Sequence, residues 1–361
     1  MSFRNETKSA FRDLYESQGK NTHLVVHDML EAGKINVDKM SLKEIWEAVE
    51  RHEDGTPKAA NEALSSDMFP KISGELISKK IRDGYENVET IGDRLATTVP
   101  SNMEIETFVG FDEVEMPEEV LQGASYKDSD MGENYTTVPH KKYGRLISVT
   151  EEAVHFDKTG QLLMRASRIG KKAAQYREQL IVEAIQDINS DVFRPSGVAE
   201  AFYRTSDSGV YRTNSKSGSA FGESSLNEAM KLIHNQKDEN GNYVSLSLSQ
   251  LIGLFPFDLW TQAEQMVNST LVPEGNENAV NTYKKKFLPL TSPYVTAQSS
   301  STWYIGDFKE DFVWSEVWPL QTFTDTTGVM NFTNDIKARY KVRLYGQAGA
   351  LSSNHSYKLT S

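Results

Sequence analysis

Cysteine does not occur anywhere in the 361 residues. Disulfides, thiolate metal sites and cysteine nucleophiles are excluded together, so stability has to come from burial, hydrogen bonding or association. Apolar runs near the ~18 residues that a membrane helix needs are missing, and the mean hydropathy is -0.53. The opening stretch MSFRNETKSAFRDLY lacks the apolar segment of a secretory signal. The five N-x-[ST] sequons, at Asn5, Asn134, Asn268, Asn331 and Asn354, therefore read as ordinary polar turns. An excess of positive charge is lacking as well. The 39 Lys and Arg against 51 Asp and Glu leave a net charge of -12, the wrong sign for a general nucleic-acid binder.

Catalytic constellations are also absent from the sequence. There is no Gly-x-Ser-x-Gly elbow, no phosphate-cradling loop and no dinucleotide fingerprint. His23 and His27 would share one face of a helix, but the zincin pattern needs Glu after the first His, and Leu24 stands there. His140, His155, His234 and His355 are isolated and read as surface or internally bonded residues. No metal and no cofactor is expected.

What is present is a core and a set of unusual pieces. Hydrophobic residues make up 38% of the chain and aromatics 10%, enough to fold. The first seventy or so residues read as short helices on connectors; Ser41 and Glu44 frame one start as a capping box. From Asn102 the period becomes two. MEIETFVGF and the returning YTTVPHKKYGRLISV read as a long hairpin, marginal alone in water. Between Glu104 and Glu119 lie seven carboxylates and no Lys or Arg.

GQLLMRASRIGKKAAQYREQLIVEAIQDIN then carries Leu162, Ala166, Ile169, Ala173, Tyr176, Leu180, Ala184 and Ile188 at helical steps. It predicts a helix over 160–189. Ala166, Gly170, Ala173 and Ala174 leave its middle open to close approach, and Arg165, Arg168, Lys171, Lys172 and Arg177 make its other faces basic. Ser148 with Glu151 reads as a capping box at a helix start ahead of this helix, and a mixed helix and strand region follows, with capped starts expected at Ser225 and Asp258. FVWSEVWPLQTF holds Trp314 and Trp318, and DIKARYKVRLYG alternates apolar residues with Lys337, Arg339, Lys341 and Arg343. That last strand should bury one face and present cations on the other.

Two stretches carry a resemblance: KKYGRLISVTEEAVHFDKTGQLLMRASRIGKKAAQYREQLIVEAI, and WYIGDFKEDFVWSEVWPLQTF with FTNDIKARYKVRLYGQAGAL. In order and spacing they resemble the tailed-phage major capsid protein family, with its Hong Kong ninety-seven-type fold. The resemblance implies an α+β chain. It places an N-terminal arm at 1–100, an extended hairpin at 101–150, a peripheral domain at 151–225 with 311–361, and an axial domain at 226–310.

It also implies a non-catalytic function: self-assembly as hexamers and pentamers into an icosahedral head around double-stranded DNA. The protein would sit in the virion after assembly in the host cytoplasm. Portal, scaffolding or decoration proteins would be partners, and no membrane. Candidate inter-subunit contacts are Glu113, Glu115, Glu118 and Glu119 against Arg165, Arg168, Lys171 and Lys172, with Trp314 and Trp318 either core or seam. Lys337, Arg339, Lys341 and Arg343 would either be simply solvated or face packaged DNA without gripping it.

The crosslink of some family members would fall on Lys127 with Asn331 or Asn334. With Met1 at the start, loss of a scaffolding segment is not expected. The alternatives are an encapsulin-type cellular compartment and a soluble α/β hydrolase centred on His23, His27 and Asp28.

Overall fold

The computed structural model describes residues 68–111, 119–120, 122, 133–150, 152–153, 156, 161–188, 190–208, 212–218, 220–237, 243–244, 251–273, 279–325 and 336–360. In chain order the helices are α1 (Met68–Glu86), α2 (Gly92–Leu95), α3 (Gln161–Gln186), α4 (Glu223–His234), α5 (Phe257–Asn268), α6 (Pro293–Gln298) and α7 (Phe308–Asp311). The strands are β1 (Thr97–Pro100), β2 (Ile105–Phe111), β3 (Glu133–Pro139), β4 (Lys141–Thr150), β5 (Ser215–Ser217) and β6 (Ile252–Phe255). They continue as β7 (Leu288–Thr291), β8 (Thr302–Gly306), β9 (Phe312–Asp325), β10 (Ile336–Ala350) and β11 (Ser356–Thr360). Sheet orders are β1-β9-β10-β4, β5-β11-β8-β6-β7 and the pair β2-β3. The chain is thus a mixture of helices and sheets, as expected.

Two compact units divide it. The first takes Met1–Glu89, Lys142–Tyr176 and Trp318–Tyr345. The second takes Thr90–Lys141, Arg177–Val317 and Gly346–Ser361.

In the first unit the stripe of small residues finds its partner. Around Gly170 the long helix α3 lies so close to α1 that a Cβ there would sit 1.9 Å from the Ile81 carbonyl oxygen. A Cβ on Gly84 would likewise meet the Ser167 carbonyl oxygen at 2.2 Å. Leu76, Ile77 and Ile81 of α1 and Leu163, Ala166 and Ala174 of α3 are buried. Strand β10 buries Tyr340, Val342 and Leu344, the apolar face its alternation called for. The Ser73 hydroxyl on α1 bonds the Tyr340 hydroxyl at 3.2 Å, and burial pushes that phenol up to about 12. Residues 68–86, read from sequence as part of an arm, therefore form a helix packed in this unit.

The second unit is built on the five-stranded sheet. Phe255 and Trp303 stack at 5.6 Å, and Phe221 meets both rings edge-on. Leu226, Ala229 and Ile233 of α4 and Ala263, Met266 and Val267 of α5 join that core. Fully burying a side chain of such size contributes about 1.5–3 kcal/mol. The outer strand β7 carries Pro289 within it, paired with Gly253. The other outer strand, β5, has only three residues.

Three local expectations are corrected. Helix α4 starts at Glu223, so Ser225 is not its cap but its third residue; its Oγ accepts from the Gly222 N–H at 2.8 Å. Helix α5 is preceded by Pro256, with Asp258 inside the first turn. Pro256 sets the extended backbone that precedes a helix. Ser148 lies in strand β4 and so caps nothing. The Thr150 hydroxyl accepts from the Ala153 N–H instead, at 3.3 Å.

Candidate assembly surfaces

The hairpin has one docked face and one open face. Strands β2 and β3 pair antiparallel from Ile105↔Pro139 to Phe111↔Glu133, so odd-numbered β2 residues share a face with odd-numbered β3 residues. On the even face Val138 and Thr136 are buried. Val138 lies where a Cβ on Gly349 would be, 2.3 Å away. The outer edge of β3 is engaged by residues 194–196: the Ser196 N–H donates to the Tyr135 carbonyl at 2.8 Å, and the Thr137 N–H to the Arg194 carbonyl at 3.2 Å. On the odd face Ile105, Val109 and Tyr135 are 55%, 60% and 40% exposed.

The base of the hairpin is pinned by His140, which sequence reasoning left as an isolated histidine. The Met103 and Glu104 carbonyls can only accept, at 2.9 and 3.2 Å, so Nδ1 carries the proton. In the neutral ring Nε2 accepts from the Ser315 hydroxyl at 2.8 Å. Its bonding is complete without a metal or a substrate. Glu106 accepts from the Ser101 hydroxyl. Of the acidic candidates, Glu119 is exposed; Glu113, Glu115 and Glu118 lie outside the described residues.

All four cations on α3 in the first unit are exposed: Arg165, Arg168, Lys171 and Lys172. Arg177, one turn beyond, behaves differently. It bonds Asp93 at 2.9 Å and Thr98 at 2.8 Å, and its guanidinium lies 5.5 Å from the Trp314 ring centre. Trp314 itself is 1% exposed. Its surface is used inside its own chain, in keeping with the core reading of the two. Trp318 is half-buried.

The cationic face of β10 is not a row of bare charges. Arg343 stands 4.1 Å over Trp318 and 4.5 Å over Phe323, and it donates to Gln321 at 3.0 Å. Lys341 lies 4.9 Å over Phe323, and Lys142 of β4 lies 5.8 Å over Trp318. Arg339 is half-buried and Lys341 exposed. The side chain of Lys337 falls outside the described residues. Lys127, Asn331, Asn334 and the His23, His27, Asp28 group also lie outside them.

Buried ionisable groups in the second unit hold the structure together. The Asp311 carboxylate is fully buried; it accepts from the His355 backbone N–H at 3.1 Å and from His355 Nδ1 at 3.0 Å. Burial alone would lower the His355 pKa. The hydrogen bond and charge of Asp311, with Glu310 and Asp307, outweigh it and raise the pKa. Asp187, just past α3, is raised chiefly by burial, although the Phe202 N–H donates to it at 2.8 Å.

The cavities are open grooves. One of about 620 Å³ is lined by Asp207, Arg212, Lys216, Glu228 and Lys231. In it Lys216 is paired with Glu228 at 2.9 Å and Arg212 with Asp207 at 3.7 Å. Among the described residues no three His, Asp or Glu side chains gather as metal ligands would.

Among the described residues the features that stand out are surfaces: a hairpin with an exposed apolar face and a helix carrying four exposed cations. The model of the phage capsid protein family matches residues 134–356, well over half of the chain, and the chain belongs to that family. It is a major capsid shell protein, structural and non-catalytic, which self-assembles into a shell and resides in the virion capsid. The hydrolase alternative falls with that match, and the encapsulin alternative is less supported.

No curated protein matches the chain. Among solved structures it is similar to the capsid of the Cyanophage P-SCSP1u, at 12% identity over 75% of this chain and 88% of that one, with a TM-score of 0.49. The capsid of the native GTA particle gives 11% identity, 76% and 91% coverage and a TM-score of 0.48. The virus-like particle from Pyrococcus furiosus gives 9%, 80% and 99%, and 0.45.

Proposed function

We propose that this chain tiles, as hexamers and pentamers, the closed icosahedral head of a tailed phage around its double-stranded DNA. The observation that carries the reading is the odd face of the hairpin, where Ile105, Val109 and Tyr135 stand exposed on a ribbon of two strands. Such a ribbon is marginal alone, and covering that face takes another surface.

In this reading 1–100 contains the arm, 101–150 the extended hairpin, 151–225 with 311–361 the peripheral domain and 226–310 the axial domain. The acidic segment with Glu113, Glu115, Glu118 and Glu119 lies along Arg165, Arg168, Lys171 and Lys172 of a neighbouring copy. Their exposure on a single helix supports this. Exposed pairs contribute only about 0.2–1 kcal/mol each, so they set register and steer association. Trp318 sits near such a seam.

Lys337, Arg339, Lys341 and Arg343 neighbour the packaged DNA loosely, in keeping with the net charge of -12. Portal, scaffolding or decoration proteins complete the particle, and assembly takes place in the host cytoplasm.

Electron microscopy and sedimentation of the purified protein test the assembly. Hollow particles or tubes are expected, and a monomer at every concentration would refute it. Reversing Lys171 and Lys172 to Glu should lower assembly yield and blunt its salt dependence; unchanged values would remove the pairing. DNA in purified particles, rather than cargo protein, separates the phage head from a cellular compartment.

A further inference from the structure

We propose that the groove beside the end of α4 binds a phosphate dianion, free or carried as a phosphomonoester. All of its walls belong to the second unit of one chain, so its fate is separate from that of the assembly reading.

The groove gathers positive charge in a chain whose net charge is -12. Arg212, Lys216, Lys231 and Lys237 line it, with only Asp207 and Glu228 against them. Those two carboxylates are already engaged. Asp207 accepts from the Thr213 N–H and hydroxyl, both at 2.8 Å, and lies 3.7 Å from Arg212. Glu228 pairs with Lys216 at 2.9 Å. Lys231 and Lys237 are exposed and have no carboxylate partner among the described residues. The Lys237 ammonium stands 5.1 Å over the Tyr243 ring. Two positive charges are therefore left over. The carbonyl end of a helix repels anions, but here the Lys231 carbonyl takes the Asn235 N–H at 3.0 Å and the Ile233 carbonyl takes the Gln236 N–H at 3.4 Å.

A second observation comes from unspent donors. Gln236 lines the groove and is 4% exposed. Its backbone N–H and carbonyl are both bonded, yet its side-chain Nε2 has no partner among the described residues. Arg212 Nε, also on the groove, is likewise buried without one. Buried polar groups nearly always find a partner, and an N–H left without one costs stability. Both atoms are donors, so an acceptor completes them.

Two surplus charges and two waiting N–H groups fit a phosphate. A phosphomonoester carries about two negative charges and three strong acceptor oxygens, whereas a carboxylate or a phosphodiester carries a single charge. At about 620 Å³ the groove has room for an organic remainder as well.

Calorimetric titration of the full-length protein with inorganic phosphate, AMP, dimethyl phosphate and acetate tests the site. Phosphate and AMP should saturate one site per chain, and the two singly charged anions should bind at least about tenfold more weakly. Tighter binding of AMP identifies a monoester as the ligand; phosphate binding at least as tightly identifies the free ion. Lys231→Gln with Lys237→Gln alters exposed positions only and should weaken both ligands about tenfold or more, the factor that a hydrogen bond to a charged group carries. Gln236→Leu should weaken them severalfold while leaving the urea midpoint unchanged or higher, because the unpaired donor is gone. A lower midpoint with binding intact would make Gln236 merely structural and count against the site. Absence of saturable binding, equal affinity for all four anions, or wild-type affinity in the double lysine variant would overturn it.

Discussion

Gly170→Ala is the most demanding perturbation of the first unit. A Cβ at that position would lie 1.9 Å from the Ile81 carbonyl oxygen and 2.9 Å from the Tyr85 nitrogen. That is roughly 1.5 Å short of ordinary contact. Both opposing atoms are backbone atoms of α1, so no side chain can swing aside and the helices have to separate. The buried contacts of Leu76, Ile77 and Ile81 loosen with them. Overpacking of this severity costs about 3 kcal/mol, while alanine's better helix propensity returns about 1 kcal/mol. The net expectation is a loss of about 2 kcal/mol, or a fall of about 1 M in the urea midpoint.

Gly84 faces the Ser167 carbonyl oxygen at the same crossing, so Gly84→Ala should cost a similar amount. The two variants together should cost clearly less than their sum, because one separation relieves both clashes. Unfolding is compared at one protein concentration, since assembly adds a mass-action contribution. A stabilised Gly170→Ala, the result helix propensity alone dictates, would refute the close crossing. Strict additivity of the pair would refute the shared displacement.

Two further outcomes follow from the buried polar groups. The folded-state pKa of His355 is raised by Asp311 and its acidic neighbours, so the stability it contributes is fully present below the unfolded value of about 6.5 and fades as pH rises through the folded value. The urea midpoint should therefore fall between mildly acidic and mildly basic pH, and His355→Gln should flatten that dependence; an unaltered pH profile would show that the Asp311 contact carries no linkage. Replacing His140 by Phe leaves the Ser315 hydroxyl and a strand-end carbonyl without their partner, at a cost of about 2 kcal/mol. It should also speed hydrogen exchange at the hairpin base, and wild-type exchange there would argue against the pin.

Helix α3 was legible because twenty-six residues of unbroken periodicity leave few competing conformations, and its small residues announced a close neighbour. They could not say which one. Helix α1 was missed although Ser73, Leu76, Ile77, Lys80, Ile81 and Gly84 fall at helical steps. Its line is diluted by a serine, a lysine and glycines, whose place on a buried face makes sense only once Tyr340, Thr324 and Ser167 lie opposite. Strand β10 showed its two faces plainly. Its cations looked solvated, since nothing in the local pattern sets Trp318 and Phe323 of β9 beneath Arg343. Cross-strand register decides that, and register is a long-range property. His140 was set aside for the same reason: its partners Met103, Glu104 and Ser315 come from remote parts of the chain.

The proline inside β7 has a consequence beyond its own sheet. A protein made to crowd against its own copies risks adhering through every exposed ribbon, and misdirected growth of that kind ends in insoluble aggregate. Pro289 removes a donor from one rim of the five-stranded sheet, and the brevity of β5 gives the opposite rim little to offer. The core of the second unit can therefore be strand-rich without recruiting strangers.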